Sequence, residues 1–453
     1  MGRLNFTNRS AIARLVAEIF FPQRPALGLD QRSYSAAVVD KIVSANAEGK
    51  STYKAQKMLR KLAELSISVP TIRDLSGMIG QELREHLEEQ ATKHAQQTLQ
   101  PQYRQTPSVA VVSTDGGRIM TRAEGERGVH AQAWKESKNA CLMTMSSTPS
   151  EHDPHPELPG CFQDRGYVEQ LVREIHSATA GAPPNPGNTG EIPAISAETE
   201  AAACVPPKTS AGLSSNDKPK KQWRPQRLVR TCVSSMVSSD EFGPLVAGEA
   251  QQRGFYQAAR RAFLGDGQAW NWTLQATYFP DFVPVADFVH PLGYVYDAAK
   301  VLAPDDPWSW HLAATTACWQ GRVSDTLDEL RAWQAAHPTP PTQEMADDDP
   351  RVIVQTTVTY LENNQSRMHY PEYRRQGLPV SSSLVESLIK EMNFRVKGTE
   401  KFWNRPDGAE NILQIRAAAL CDDDRLSQWI IQRPGSYFYR SSTQRDRPPA
   451  IAA

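Results

Sequence analysis

The chain has 453 residues, 40% hydrophobic and 22% charged, an ordinary balance for a folded protein long enough for two or three domains. A net charge of −1 and a pI near 6.8 exclude a uniformly basic nucleic-acid binder, so any contact with a polyanion has to rest on local patches. The six cysteines (Cys141, Cys161, Cys204, Cys232, Cys318 and Cys421) form no CxxC pair and suit neither a zinc site nor a disulfide framework.

Residues 1–100 read as a helical domain. The opening MGRLNFTNRSAIARLVAEIFF is amphipathic, with Ile12, Leu15, Val16 and Ile19 on one face and Glu18 among them. That pattern is neither a signal peptide nor a membrane span. No later apolar run reaches the roughly 18 residues a span needs, so a soluble protein that stays in the cell is expected. Val38, Val39, Ile42 and Val43 mark a second helix, and KAQKMLRKLAEL a third. A fourth follows within a few residues, with Ser68 as its cap, Pro70 in its first turn, and Ile72, Leu75 and Ile79 at helical spacing. Helix, short turn and helix, with Thr71 and Arg73 near the second N-terminus, outline a helix-turn-helix that presents those two residues to DNA. An ordinary helical hairpin has the same outline.

The character changes over residues 101–175. SVAVVSTDGG, GRIMTR and ACLMTMSS read as strands. The segment EHDPHPELPGCF (151–162) holds possible metal ligands, but its three prolines and irregular spacing read as a rigid loop. Residues 176–222 are rich in Pro, Ala, Ser, Thr and Asn and read as a flexible linker. The linker ends in the basic run KPKKQWRPQRLVR, either a phosphate contact or a solvated face. The α/β pattern resumes over 223–306, with strands LVRTCVSSM, RAFLGDG and FVPVADF and helices between them. Residues 307–376 are helical and hold Trp308, Trp310, Trp319 and Trp333. Residues 377–435 hold two further helices, and 436–453 a loose tail.

Three acids stand out by context. Asp115 ends the strand VAVVSTD, Asp266 ends RRAFLGD, and Glu386 lies early in a helix opened by Ser381 to Ser383. Carboxylates at the ends of neighbouring strands converge, because adjacent strands lie about 4.8 Å apart. A third carboxylate from a packed helix completes an oxygen-rich pocket suited to Mg²⁺. On the Glu386 helix, Leu384, Val385, Leu388, Ile389, Met392 and Val396 form one face. Glu386, Lys390, Asn393 and Lys397 form the other. The plainer readings are an Asp-Gly turn at each aspartate and a surface Glu386–Lys390 pair.

The runs VVSTDGGR, FLGDGQAWNW, YFPDFVPVADFVHPLGYVYDAAK and SSSLVESLIKEMNFRVKGTEKFW resemble the DDE-type transposases of bacterial insertion sequences, particularly the ISKra-type group. The resemblance extends from FFPQRPALGLD to about residue 420. It departs from the family at SSS before Glu386, where a glycine-containing turn is expected, and in the long linker. It implies an α/β fold with an RNase H-like catalytic core, an all-α insertion and the helical N-terminal domain. It also implies two Mg²⁺ ions, with Mn²⁺ able to substitute, held by Asp115, Asp266 and Glu386. Asp287 and His290 match a D-x-x-H signature in that family; Asp287 is the alternative second metal ligand and His290 an accessory residue. The implied activity is cleavage at the ends of the element and joining to target DNA, by a homodimer or larger assembly at the bacterial nucleoid. Lys390, Arg395, Lys397, Lys401 and Trp403 are the expected DNA contacts of the catalytic region. Two other readings remain: a nuclease or resolvase on the same fold without strand transfer, and a non-catalytic DNA-binding regulator.

Overall fold

The computed structural model describes residues 34–103, 105–122, 132–179, 225–342, 345–381, 383–397 and 403–432. The expected first helix, most of the linker, Lys401 and the tail lie outside these residues, as does the side chain of Glu386. The chain is mixed α/β, built on one five-stranded sheet in the order β3-β2-β1-β4-β5. The strands are β1 (Val109–Arg122), β2 (Gln132–Ser146), β3 (Gln226–Ser235), β4 (Arg260–Gly265) and β5 (Val283–Ala286). Strands β1, β2 and β3 are antiparallel in succession, while β4 and β5 run parallel to β1. Residues 109–114 of β1 are buried on both faces, with an apolar run Val109–Val112 and two buried hydroxyls at Ser113 and Thr114, as befits a central strand covered on each side.

The sheet revises the reading of residues 115–122. Asp115 does not end its strand, and GRIMTR is not a separate one: β1 continues to Arg122, paired with β2 throughout, from Val109↔Met145 to Arg122↔Gln132. Only the pairing with β4 stops, at Thr114↔Gly265. The long β2 keeps supplying backbone partners along one edge, so Asp115-Gly116-Gly117 stays extended instead of turning. The glycine at 117 answers a close approach, since a Cβ there would lie 2.8 Å from the Ser137 hydroxyl across the ladder.

The helices before the sheet are α1 (Ala36–Glu48), α2 (Thr52–Leu62) and α3 (Val69–Ala95). Ser35, Ser51 and Ser68 cap them by accepting from backbone N–H groups, and Pro70 sits in the first turn of α3. Helix α4 (Arg165–Thr179) follows β2, and α5 (Ser239–Gln252) follows β3 behind a capping box of Ser238 and Glu241. Helix α6 (Ala269–Tyr278) lies between β4 and β5, and α7 (Val289–Leu302) leaves β5. The helical segment then holds α8 (Pro307–Trp319), α9 (Val323–Ala336), α10 (Pro350–Asn364) and the short α11 (Tyr370–Arg375). Last come α12 (Ser383–Val396), α13 (Pro406–Ala419) and α14 (Arg425–Gln432).

Helix α3 packs along α5 and α13, and α12 packs on β1 and β2. Apolar residues of α1 and α3, the strands and the C-terminal helices join one buried core. Residues 151–159 are held as a loop against the helical segment and run into a 3-10 turn at Gly160–Gln163. Asp153 accepts from the Arg374 Nε at 2.8 Å, and the His155 carbonyl accepts from the Trp319 indole at 2.9 Å. Among the described residues, no helix is long and apolar enough to cross a membrane.

Candidate active site

The register of the parallel strands places three aspartates side by side. Thr114 pairs with Gly265, and Gly265 pairs with Ala286. Asp115, Asp266 and Asp287 are the next residue on each strand. With strands about 4.8 Å apart, Asp115 and Asp266 stand on adjacent tracks, and Asp287 lies about 10 Å from Asp115. Asp266 is 8% exposed and Asp287 fully buried.

Each carboxylate is held in place. Asp266 Oδ1 accepts from the Gln268 backbone N–H at 3.0 Å and the Asn271 amide at 2.6 Å, and its Oδ2 accepts from the Gln268 side chain at 2.7 Å. The buried Asn271 in turn accepts from the Thr114 hydroxyl at 2.8 Å, which ties the end of β4 to the residue before Asp115. The turn that aims Asp266 needs a glycine next: Gly267 has φ +100°, and a Cβ there would lie 2.6 Å from the Tyr360 ring. The Tyr360 hydroxyl donates to the Asp266 carbonyl at 3.2 Å, and its ring stacks on Tyr294 at 4.3 Å. Asp115 Oδ1 accepts from the Gly116 N–H at 2.6 Å.

Asp287 binds His290 Nδ1 at 2.7 Å, one helical turn further along the chain. Burial alone would lower the His290 pKa. The hydrogen bond and charge of Asp287, joined by the charges of Asp266 and Asp115, outweigh it and lift the pKa to about 10. One imidazolium thus feels all three aspartates, which agrees with the strand register. Burial raises the Tyr360 phenol, and the charges of Asp287 and Asp266 raise it further.

Helix α12 begins beside this cluster. The Phe288 N–H, next to Asp287, donates to the Val380 carbonyl at 3.0 Å, three residues before Ser383 opens the helix. Glu386 falls in the first turn. Leu388, Met392 and Val396 are buried, as the sequence pattern expects.

Several expected DNA contacts have other work. Arg395 is 3% exposed and donates from Nε to the Asn46 carbonyl at 2.7 Å, so it is an internal tie and not a phosphate ligand. Trp403 bridges to β1 by backbone bonds with Met120 and Arg122 and donates its indole N–H to the Val396 carbonyl at 2.9 Å. That ring is anchored in the fold and is removed from the DNA-contact set. Within the basic run, Arg230 is buried against Glu391 at 3.1 Å, a charge partner no phosphate can displace without unfolding the contact. Lys390 is exposed and paired with Glu174 at 2.9 Å, and Lys397 reaches over Trp134. Thr71 is half-buried, its hydroxyl 2.8 Å from that of Ser68 in the cap, while Arg73 is exposed.

Sequence reasoning missed Thr114, Gln268, Asn271 and Tyr360. Asn271 carried a signal, being a short amide five residues after the aspartate in a segment otherwise aromatic and apolar. Among the described residues, no three acidic, imidazole or thiol side chains already stand close enough to hold a metal. The donor set is nonetheless all oxygen, and its field draws a positive charge onto the nearest imidazole, so it fits a hard dication. No protein-family model and no curated protein matches the chain.

Proposed function

We propose that the chain is a DNA transposase that cuts and joins DNA at a metal-dependent acidic site on an RNase H-like core. The strand order, with three antiparallel strands and two more parallel to the first, supports the core assignment, because it is the order of RNase H-like sheets. The observation that carries the function is the alignment of Asp115, Asp266 and Asp287 one step beyond mutually paired strand residues. The start of α12 beside Asp287 supports Glu386 as the acid that completes the set.

Asp115, Asp266 and Glu386 would hold Mg²⁺, with Mn²⁺ as its substitute. Asp266 is preferred to Asp287 as the second ligand because it neighbours Asp115 directly, whereas Asp287 is a strand further away and engaged with His290. When bound, the ions would activate a water or DNA 3′-hydroxyl and stabilise the leaving oxygen. Asn271 and Gln268 orient the Asp266 carboxylate through neutral amides, which yield to a cation more readily than a charged partner does. Gly267 and Tyr360 set the turn from which that carboxylate projects. The Asp287–His290 ion pair flanks the site, with His290 as an accessory group that fixes the Asp287 carboxylate. Exposed Arg73 and the capped end of α3 would help recognise the ends of the element, and two such ends require at least a dimer.

The test is Mg²⁺-dependent cleavage of duplex DNA carrying the sequences that flank the gene. Asp115→Asn and Asp266→Asn should each reduce cleavage at least a thousandfold and leave DNA binding unchanged within a few-fold. Retained cleavage in both variants would reject the site. The same acid cluster serves a nuclease without strand transfer, and a joining assay with a pre-cut end separates the two.

A further inference from the structure

Beyond the acidic site, the described residues expose only three large aromatic side chains: Tyr53 at 57%, Trp134 at 42% and Phe394 at 50%. Each has a lysine ammonium over its ring. Lys57 lies 4.7 Å from the Tyr53 centroid, Lys50 lies 6.0 Å from Phe394, and Lys397 lies 6.0 Å from Trp134. The three pairs are linked. Lys397 closes the last turn of the helix that carries Phe394, its N–H donating to the Asn393 carbonyl at 2.8 Å, so the two sit one turn apart. Lys50 and Tyr53 flank the Ser51 cap of α2. The result is a band in which ring and ammonium alternate, from the β1–β2 hairpin across the end of α12 to the start of α2.

Burial lowers the Lys397 pKa, and the charge of Arg118 lowers it further, so two cations crowd the hairpin end. Among the described residues, two acids close to the band in sequence or register are paired elsewhere, Glu48 with Arg416 at 2.5 Å and Glu136 with Lys138 at 3.0 Å. The band also lies at the catalytic end of the sheet. Trp134 is five residues along β2 from Asn139, the partner of Asp115, or about 17 Å at strand rise. It sits on the part of the hairpin that extends past β4.

We propose that this band binds single-stranded DNA leaving the acidic site, with bases stacked on Trp134, Phe394 and Tyr53 and phosphates on the lysines between them. The assignment rests on the reading above that the chain acts on DNA. Flat faces spaced by cations match the alternation of base and phosphate in a single strand. A duplex keeps its base faces stacked and offers the rings nothing, and a lipid surface calls for a continuous apolar patch where this band breaks every ring with a charge. Exposed lysine–ring contacts are weak enough for a base to displace the ammonium onto the neighbouring phosphate.

The test is fluorescence anisotropy of the full chain with labelled oligothymidine and, separately, labelled duplex, both in EDTA so that no cleavage occurs. Trp134→Ala, Phe394→Ala and Tyr53→Ala should each weaken oligothymidine binding about tenfold while changing duplex binding little. The ring-preserving Trp134→Phe and Phe394→Trp should bind like wild type. Lys50→Gln and Lys57→Gln should each lower the slope of log affinity against log salt by about 0.7. Alanine variants that bind oligothymidine like wild type would overturn the proposal. Ring-dependent binding to phosphatidylserine vesicles without oligothymidine binding would overturn it as well. Ring-dependent binding in a chain that shows no Mg²⁺-dependent cleavage would uphold the band and reject the nuclease. Cleavage with ring-independent binding would do the reverse.

Discussion

Asn271 joins two of the three aspartate strands through one amide, its oxygen accepting from the Thr114 hydroxyl and its NH2 donating to Asp266. Asn271→Ala leaves the buried Thr114 hydroxyl without its partner and Asp266 Oδ1 with only the Gln268 N–H, a loss of about 1–3 kcal/mol for the unsatisfied hydroxyl. The variant should melt lower and need more Mg²⁺ for cleavage, because Asp266 is no longer aimed. A metal titration of cleavage beside a urea melt separates the two effects; a wild-type metal midpoint would reject the orienting role. His311, fully buried in α8, offers a second test at this scale. Burial depresses its pKa from 6.5 to about 4. Between those values the unfolded chain binds the extra proton and the folded chain does not, so stability falls as pH drops from about 6.5 towards 4, by up to about 3 kcal/mol. Urea melts across that window should show a shallower fall for His311→Gln than for wild type.

Elements are fixed by close contacts that few side chains allow. On α3, a Cβ at position 80 would overlap the backbone of Asn411 on α13. Gly80→Ala must push the two helices apart and should cost about 1–3 kcal/mol, read as a lower urea midpoint with an unchanged slope. The turn after β4 is as demanding. Gly267→Ala forces a side chain into left-handed backbone against the Tyr360 ring, with strain of about 1–3 kcal/mol. Since that turn carries Asp266, cleavage should drop further than stability explains, measured well below the melting temperature. The periodic segments were legible in sequence: α3 with its Ser68 cap, β4, β5 and α12 fall where apolar spacing and caps set them. The strand through Asp115 was not. Asp-Gly-Gly is turn chemistry by local preference, and only a long partner strand across the sheet keeps it extended.

At the scale of the molecule, residues 36–95 share one buried core with the sheet and with α13 and α14. Trp429 of α14 lies 4.7 Å from His86 of α3, ring to ring, and Ser427 donates to Asp40 of α1 at 2.8 Å. Removing residues 1–100 should therefore expose the apolar face of α13 and yield an aggregating or unfolded remainder. A remainder that unfolds cooperatively by circular dichroism would instead make the N-terminal helices a separable domain.

What the amino-acid sequence determined alone was local: the periodicity of most elements, the caps that start helices, and the acids lying at or just past apolar strands. These follow from interactions within a few residues. Which acids meet, and which cations remain at the surface, was decided by tertiary structure, because both depend on partners far along the chain. Asp115 and Asp266 are neighbours only because β4 pairs in parallel with β1, although β2, α4, β3 and α5 lie between them in the chain. Arg395 and Lys397 look alike in sequence, yet helix packing buries the first against Asn46 and leaves the second beside Trp134. Burial and register are properties of the assembled sheet, and no window of sequence contains them.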